Sequence, residues 1–384
     1  MGEGYIHVET ILHQFSKNPG KPCGDVVEIL RDESSTIVML ADGLGSGIKA
    51  NIAATMCLSR LKELLKSGFS LRHAFRSVLK TMESAKESKM PYAVFSIIKI
   101  MTDGIATILS YEMPPPLLLT NRTCSILQQR IFTANSSIIG ESNCYVHRGE
   151  GIVIVSDGVT NSGTGKQLRT GWGIDGINNF INKKLSESTS FKSLPEILNN
   201  EAKRLWDGSI YDDCTAVIAY CLKGRTVNIL TGPPEDKEDD ERFIKDFLSN
   251  EGLKIICGGT TARIASRYLK KPLIVNEDFH SDLTPPNYAI DGIDLVTEGA
   301  VTLNQVYNIW GEEDSKLEKD NPVTNLYLLL SSVDRVNFIA GKAQNPTTKS
   351  IRYIQAGILK RNKIVPLLAD KLKECGKLVT IEYY

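Results

Sequence analysis

The stretch CGDVVEILRDESSTIVMLADGLGSG, residues 23–47, decides the reading of this chain. Asp25 to Leu30 and Thr36 to Ala41 are apolar-rich runs of strand length, and Arg31 to Ser35 between them has turn composition. An antiparallel pairing symmetric about Glu33 and Ser34 sets residue 25 opposite residue 42. The aspartate that opens the first strand then meets the aspartate that closes the second.

The same logic applies further along. Gly151 to Ser156 is a strand that runs into Asp157-Gly158, and Asp212-Asp213 opens a strand from Thr215 to Tyr220. If these two strands are antiparallel neighbours, the carboxylates of Asp25, Asp42, Asp157 and Asp212 share an edge. A single strand-end Asp-Gly is most simply a turn, but four in matched positions form a set. Like charges packed that closely cannot all stay ionised without bound cations or protonation of some members, and no basic cluster lies nearby in sequence. Carboxylates, backbone carbonyls and water suit Mg²⁺ or Mn²⁺, and no His or Cys stands at metal-binding spacing, so zinc is disfavoured.

At 384 residues and 42% hydrophobic, the chain suits two globular domains. Lys+Arg and Asp+Glu both total 45, which implies neither a nucleic-acid nor a membrane field. The eight cysteines include no Cys-x-x-Cys, which argues against a zinc ribbon or disulfide framework and for reduced thiols in cytoplasm. The N-terminus lacks the basic start and apolar run of a signal peptide, and no stretch approaches the roughly 20 apolar residues of a membrane span.

A strand is expected from Tyr5 to Leu12 and a helix from Ile48 to Leu65, on which apolar Ile52, Met56 and Leu61 define one face. A second helix is expected over Leu71 to Glu87, then a hairpin of Tyr92 to Ile100 and Gly104 to Tyr111. Strands follow at Leu117 to Leu119 and Cys124 to Phe132, and a helix around Ser186 to Trp206. The pattern changes near Leu222 to Arg225. Strand Thr226 to Thr231, helix Glu241 to Asn250, strand Lys254 to Cys257 and helix Thr261 to Leu269 alternate as in a separate α/β domain. There Gly258, Gly259, Thr260 and Thr261 form a glycine turn at a helix start, where free N–H groups would hold an anion or where a threonine simply caps the helix. Glu298 is expected at another strand end.

Cys23-Gly24-Asp25, Ala41-Asp42-Gly43-Leu44-Gly45-Ser46-Gly47, Ser156-Asp157-Gly158-Val159 and Asp212-Asp213-Cys214-Thr215 stand in the order of the motifs of bacterial sporulation-type phosphatases. Over roughly residues 5–222 the chain resembles these SpoIIE-like members of the PP2C class of metal-dependent serine/threonine protein phosphatases. The resemblance implies an α+β fold, an α-β-β-α sandwich of two antiparallel sheets flanked by helices. It departs from the family at Cys23, where serine is common, and before Pro114, where a Gly-His is missing. The expected organisation is a phosphatase domain over residues 1–224 and an α/β domain over residues 225–384.

The resemblance also implies site roles. Asp25, Asp42, Asp157 and Asp212 are the expected metal ligands, with the Gly43 carbonyl added and Asp213 either a ligand or an orienting neighbour; Asp42, Asp157 and Asp212 are the expected catalytic residues. Two divalent cations, Mn²⁺ or Mg²⁺, would lower the pKa of a shared water for in-line attack on phosphorus. No protein nucleophile is then needed, and Ser46 has no identifiable partner. The expected activity is that of a cytoplasmic phosphoserine/phosphothreonine phosphatase acting on a partner protein, such as an anti-sigma-factor antagonist, with no nucleic-acid or membrane partner. The alternatives are a catalytically silent phosphatase-fold binding protein, and a protein whose C-terminal domain binds a nucleotide or other anion.

Overall fold

The hairpin that opens the sequence argument forms with Asp25 paired to Asp42, as strands β2 (Asp25–Arg31) and β3 (Ser35–Gly43). The computed structural model describes residues 5–45, 47–134, 137–208, 211–276, 287–313, 317–318, 321–343 and 357–384; Ser46 lies outside them. Two compact units divide the chain, Met1–Lys223 and Gly224–Tyr384.

In the first unit, β2 and β3 continue into β4 (Ala93–Met101), β5 (Ile105–Tyr111), β9 (Ser137–Tyr145) and β8 (Arg130–Ala134), a six-stranded antiparallel sheet. A five-stranded antiparallel sheet joins β1 (Ile6–Phe15), β11 (Cys214–Lys223), β10 (Gly151–Val155), β6 (Leu117–Leu119) and β7 (Cys124–Ile126). One core cluster takes side chains from both sheets, such as Met39 and Ile97 with Ile154 and Val217, together with α1 (Ile48–Lys66) and α2 (Leu71–Glu87). The outer face of the five-stranded sheet packs on α4 (Gly173–Ser186) and α5 (Leu194–Leu205). A single turn, α3 (Asp157–Thr160), follows β10. The layers run helix, sheet, sheet, helix, an α+β sandwich.

Three expectations need correction. The single strand expected over Cys124 to Phe132 is two, β7 and β8, which belong to different sheets. The helix expected around Ser186 to Trp206 starts only at Leu194, preceded by the unanticipated α4 and a short 3₁₀ turn. In α1 the buried face is Ala50, Ala53, Ala54, Cys57, Leu58 and Leu61, while Ile52 and Met56 are 51% and 66% exposed. The small residues win because α1 lies very close to the sheet: a Cβ on Gly43 would stand 2.0 Å from the Ala50 carbonyl oxygen. The bulkier Ile48, Ile52 and Met56 are left on the outside.

The second unit centres on a seven-stranded sheet, ordered β14 (Ile274–Asn276), β15 (Asn287–Ala289), β16 (Leu295–Thr297), β13 (Leu253–Cys257), β12 (Thr226–Thr231), β17 (Arg335–Ala340) and β18 (Leu378–Tyr383). The last five are mutually parallel. Helices α6 (Asp240–Ser249) and α7 (Gly259–Leu269) bury Phe243, Phe247 and Ala265 against one face. On the other face lie α8 (Ala300–Ile309), α9 (Pro322–Ser332) and α10 (Arg361–Glu374). No helix among the described residues is long and apolar enough to cross a membrane.

Gly43→Ala is expected to destabilise the first unit by about 1–3 kcal/mol, the usual cost of overpacking a tight contact. Chemical denaturation of the purified variant measures it; an unchanged midpoint would mean that α1 does not sit against β3 as described.

Candidate metal centre

The five aspartates come from both sheets, and each arrives there by strand geometry. Asp25 opens β2 and Asp42 nearly closes β3, so the six-stranded sheet delivers two carboxyls side by side. Asp157 follows β10, while Asp212 and Asp213 precede β11, and the register Val155 to Ala216 brings those two chain ends to the same edge of the five-stranded sheet. The carboxyls therefore meet across the sandwich, rather than along a single sheet edge. Gln14, near the end of β1, ties the two halves together: its Nε2 donates to the Asp25 carbonyl at 2.9 Å and to Thr215 Oγ1 at 3.0 Å.

Glycines make the close approach possible. A Cβ on Gly158 would lie 2.0 Å from the Asp213 carbonyl oxygen, and one on Gly24 would lie 2.7 Å from Asp213 Oδ2. Any larger residue at either place would push the loops bearing the aspartates apart.

Electrostatics follow from this crowding. Asp25 is 2% exposed, and neither of its carboxylate oxygens has a hydrogen-bond partner. Burial is the main cause that lifts its pKa to about 7; the nearby Thr215 and Ser156 hydroxyls oppose the rise, and the charges of Asp213 and Asp157 add to it. Asp42 is pushed up to about 10, again by burial first and then by Asp25 and Asp157. Asp157 is raised as well, by burial and by the field of Asp212, with Asp42 within hydrogen-bonding reach. Carboxyls so raised hold protons near neutral pH where no cation faces them.

Asp213 is engaged differently. Its Oδ1 accepts from the Lys17 backbone N–H and its Oδ2 from the Gly24 N–H, both at 2.9 Å. It thereby fastens the loop after β1 and the start of β2 to the start of β11. Asp212 Oδ1 takes the Lys17 ammonium at 3.1 Å and the Asp213 N–H at 3.0 Å. Burial works against the charge on Lys17, but the bond to Asp212 and the fields of Asp212, Asp213 and Asp42 outweigh it and raise its pKa. Lys17 thus supplies a basic group that was not expected near these carboxyls. The only hint in sequence is its position eight residues before Asp25, in a loop whose course no periodicity reveals.

The donor set fits a hard divalent cation. It is all carboxylate, and Asp25 presents two buried oxygens that make no hydrogen bond of normal geometry among the described residues, with only the Thr215 and Ser156 hydroxyls near, which is the state expected of ligands awaiting a charge. Among the described residues, no group of three His, Cys, Asp or Glu already stands in a metal-holding arrangement. Asp42 and Asp157 face each other, and Asp212 faces Lys17. Gly258, Gly259, Thr260 and Thr261 belong to the other unit.

Comparison with known proteins bears on the first unit. Residues 32–221 match the family model described as Stage II sporulation protein E (SpoIIE). No curated protein sequence matches the chain. Among solved structures, the phosphatase domain of SpoIIE from Bacillus subtilis, with a fragment of its regulatory domain, aligns at 16% identity and TM-score 0.48, over 57% of this chain and 65% of that one. The chain thus spans less than two thirds of that structure's length. The RsbU and RsbW domains of Rv1364c from Mycobacterium tuberculosis align at 14% identity and TM-score 0.48, over 64% and 68%. RsbX in complex with magnesium aligns at 19% identity and TM-score 0.40, over 56% and 99%. Over residues 32–221, the chain resembles the SpoIIE family of PP2C-type phosphatases.

Proposed function

We propose that the first unit is a metal-dependent protein phosphatase that hydrolyses phosphoserine or phosphothreonine in a partner protein. The observation that carries this reading is the buried, unpartnered Asp25 carboxylate set beside Asp42, with Asp157 and Asp212 brought up from the facing sheet. Asp25, Asp42, Asp157 and Asp212 are the residues that would hold Mn²⁺ or Mg²⁺, with the Gly43 carbonyl beside them. Bound cations of this kind supply a reactive hydroxide near neutral pH and neutralise charge on the phosphoryl oxygens.

The chain's own contributions are positional. Asp42 and Asp157 would hold a cation in their ionised form, and their partial burial shields the charge of the site from water. Asp213 holds the Lys17 loop and Gly24 in place through two backbone N–H groups, which suits an orienting role. The Lys17 ammonium, on Asp212 at the half-exposed side of the centre, is placed to meet an incoming phosphoryl group. The second unit would recruit or regulate, and the anti-sigma-factor antagonist class is the partner this reading favours.

One observation favours the alternative of a silent binding protein: Lys17 already neutralises Asp212. Hydrolysis of p-nitrophenyl phosphate separates the two. The phosphatase reading predicts turnover with Mn²⁺ that falls at least about 100-fold in Asp42→Ala and in Asp157→Ala, in line with the cost of losing one electrostatic stabiliser of a transition state. Wild-type turnover that survives chelation would reject it.

Metal binding is also readable without activity. Mn²⁺ at about 100 times its dissociation constant is expected to stabilise the chelated protein by about 2.7 kcal/mol, seen as a rise in melting temperature that Asp25→Ala abolishes. An equal rise in wild type and variant would place the metal elsewhere.

A further inference from the structure

Among the described residues of the second unit, three buried hydroxyls have no hydrogen-bond partner: those of Thr231, Thr261 and Thr302. The residues are 0%, 1% and 0% exposed. A buried hydroxyl left unpaired is costly, and so many in one region call for a reason.

Their placement supplies one. Thr231 ends β12 and pairs with Cys257 at the end of β13, which in turn pairs with Thr297 at the end of β16. Thr261 and Thr302 are the third residues of α7 and α8, the helices that leave β13 and β16. The three hydroxyl-bearing residues therefore gather at the carboxyl edge of the parallel sheet. The five parallel strands lie in the spatial order β16, β13, β12, β17, β18, the third, second, first, fourth and fifth in the chain. Open sheets so wound bind ligands at that edge.

The two glycine turns there are in contact. Gly258, with φ +134°, lies in a region that favours glycine, and a Cβ on Gly299 would stand 3.5 Å from the Gly258 Cα. The N-termini of α7 and α8 thus converge, and neither helix has a side-chain cap. Ala262 N–H is the first in α7 to return to the turn, donating to the Gly258 carbonyl at 2.8 Å. The amides of Gly259, Thr260 and Thr261 ahead of it are the free donors of a helix start, where the helix dipole favours an anion. The Thr261 hydroxyl aims at this turn, 3.3 Å from where a Gly258 Cβ would be. Thr260 is exposed at the mouth.

A second group borders the same space. The empty Cβ position of Gly259 has as neighbours, among the described residues, Glu298 Oε1 and the Tyr288 hydroxyl, each at 3.8 Å. Tyr288 donates to Glu298 Oε1 at 2.7 Å, which anchors the carboxylate at the end of β16. A carboxylate beside a phosphate cradle repels a bare anion but accepts hydrogen bonds from hydroxyls. Phosphate and hydroxyls together are the chemistry of a nucleotide.

We propose that the second unit binds a nucleotide, with a phosphate on the amides of Gly259, Thr260 and Thr261 over the Thr261 hydroxyl, and a ribose hydroxyl on Glu298. This site is separate from the aspartate centre and does not depend on the phosphatase reading.

Thermal unfolding and calorimetry of the full-length chain in chelating buffer test it, with ATP, AMP, NAD⁺ and inorganic phosphate as probes. Chelation removes any metal-borne contribution of the aspartate centre. At least one nucleotide is expected to raise the melting temperature at millimolar concentration. Thr261→Val, which keeps the shape and removes the unpaired hydroxyl, is expected to leave the unliganded melting temperature unchanged or higher and to weaken nucleotide binding at least about fivefold. Glu298→Gln is expected to weaken the nucleotide about tenfold and leave phosphate binding unchanged or stronger. The absence of any nucleotide response in wild type would overturn the proposal, as would a response that both variants leave intact. Phosphate binding as tight as that of the nucleotide and insensitive to Glu298→Gln would overturn the nucleotide assignment.

Discussion

Repulsion among crowded carboxyls, with Asp25 buried and Asp42, Asp157 and Asp212 partly exposed, is the constraint around which the first unit is built. Asp25 and Asp42 are neighbours by strand register, and Asp157 and Asp212 are carried towards them by a second sheet. Water is largely excluded from Asp25, so its charge cannot be dispersed by solvent. The protein can hold such a group only with a proton or with a cation. The raised pKa values of Asp25, Asp42 and Asp157 correspond to the first solution. Bound divalent cations are the second, and the proposed chemistry depends on the exchange of one for the other.

The surrounding structure serves that exchange. Gly43 and Gly158 remove side-chain bulk where backbones touch, Gly24 does so against the Asp213 carboxylate, and each contact sets the position of an aspartate or its loop. Asp213 and Gln14 then stitch the two sheets together through backbone groups, so the centre does not rely on the mutual affinity of its own carboxyls. Lys17 pairs directly with Asp212, at the more exposed side, and its field also reaches Asp157. The gradient runs from a neutralised rim to an uncompensated interior, which is the arrangement a cation entering from solvent would meet.

Much of this was legible in the residues. The β2–β3 register followed from the turn centre between Glu33 and Ser34, because an antiparallel hairpin has one symmetry point once its turn is known. The helix–strand alternation after Leu222 was legible for the same local reason. What was not legible depends on contacts distant in sequence. The pairing of β1 with β11 brings Lys17 beside Asp212, and no pattern within either segment announces it. The buried face of α1 departs from its apolar pattern because size, rather than hydrophobicity, decides it: Ala50, Ala53, Ala54 and Cys57 fit under the close approach at Gly43, and Ile52 and Met56 do not. The convergence of Gly258 with Gly299 likewise required the order of β13 and β16 in the sheet.

Burial and crowding raise the pKa of the carboxyls proposed to hold divalent cations, so cation binding there is expected to release protons. Calorimetric titration of Mn²⁺ into the chelated protein, repeated near neutral pH in buffers of different ionisation enthalpy, counts the protons released on binding. The account predicts saturable binding accompanied by proton release, with the release reduced in Asp42→Asn. Binding without any proton release, or no saturable binding, would contradict it.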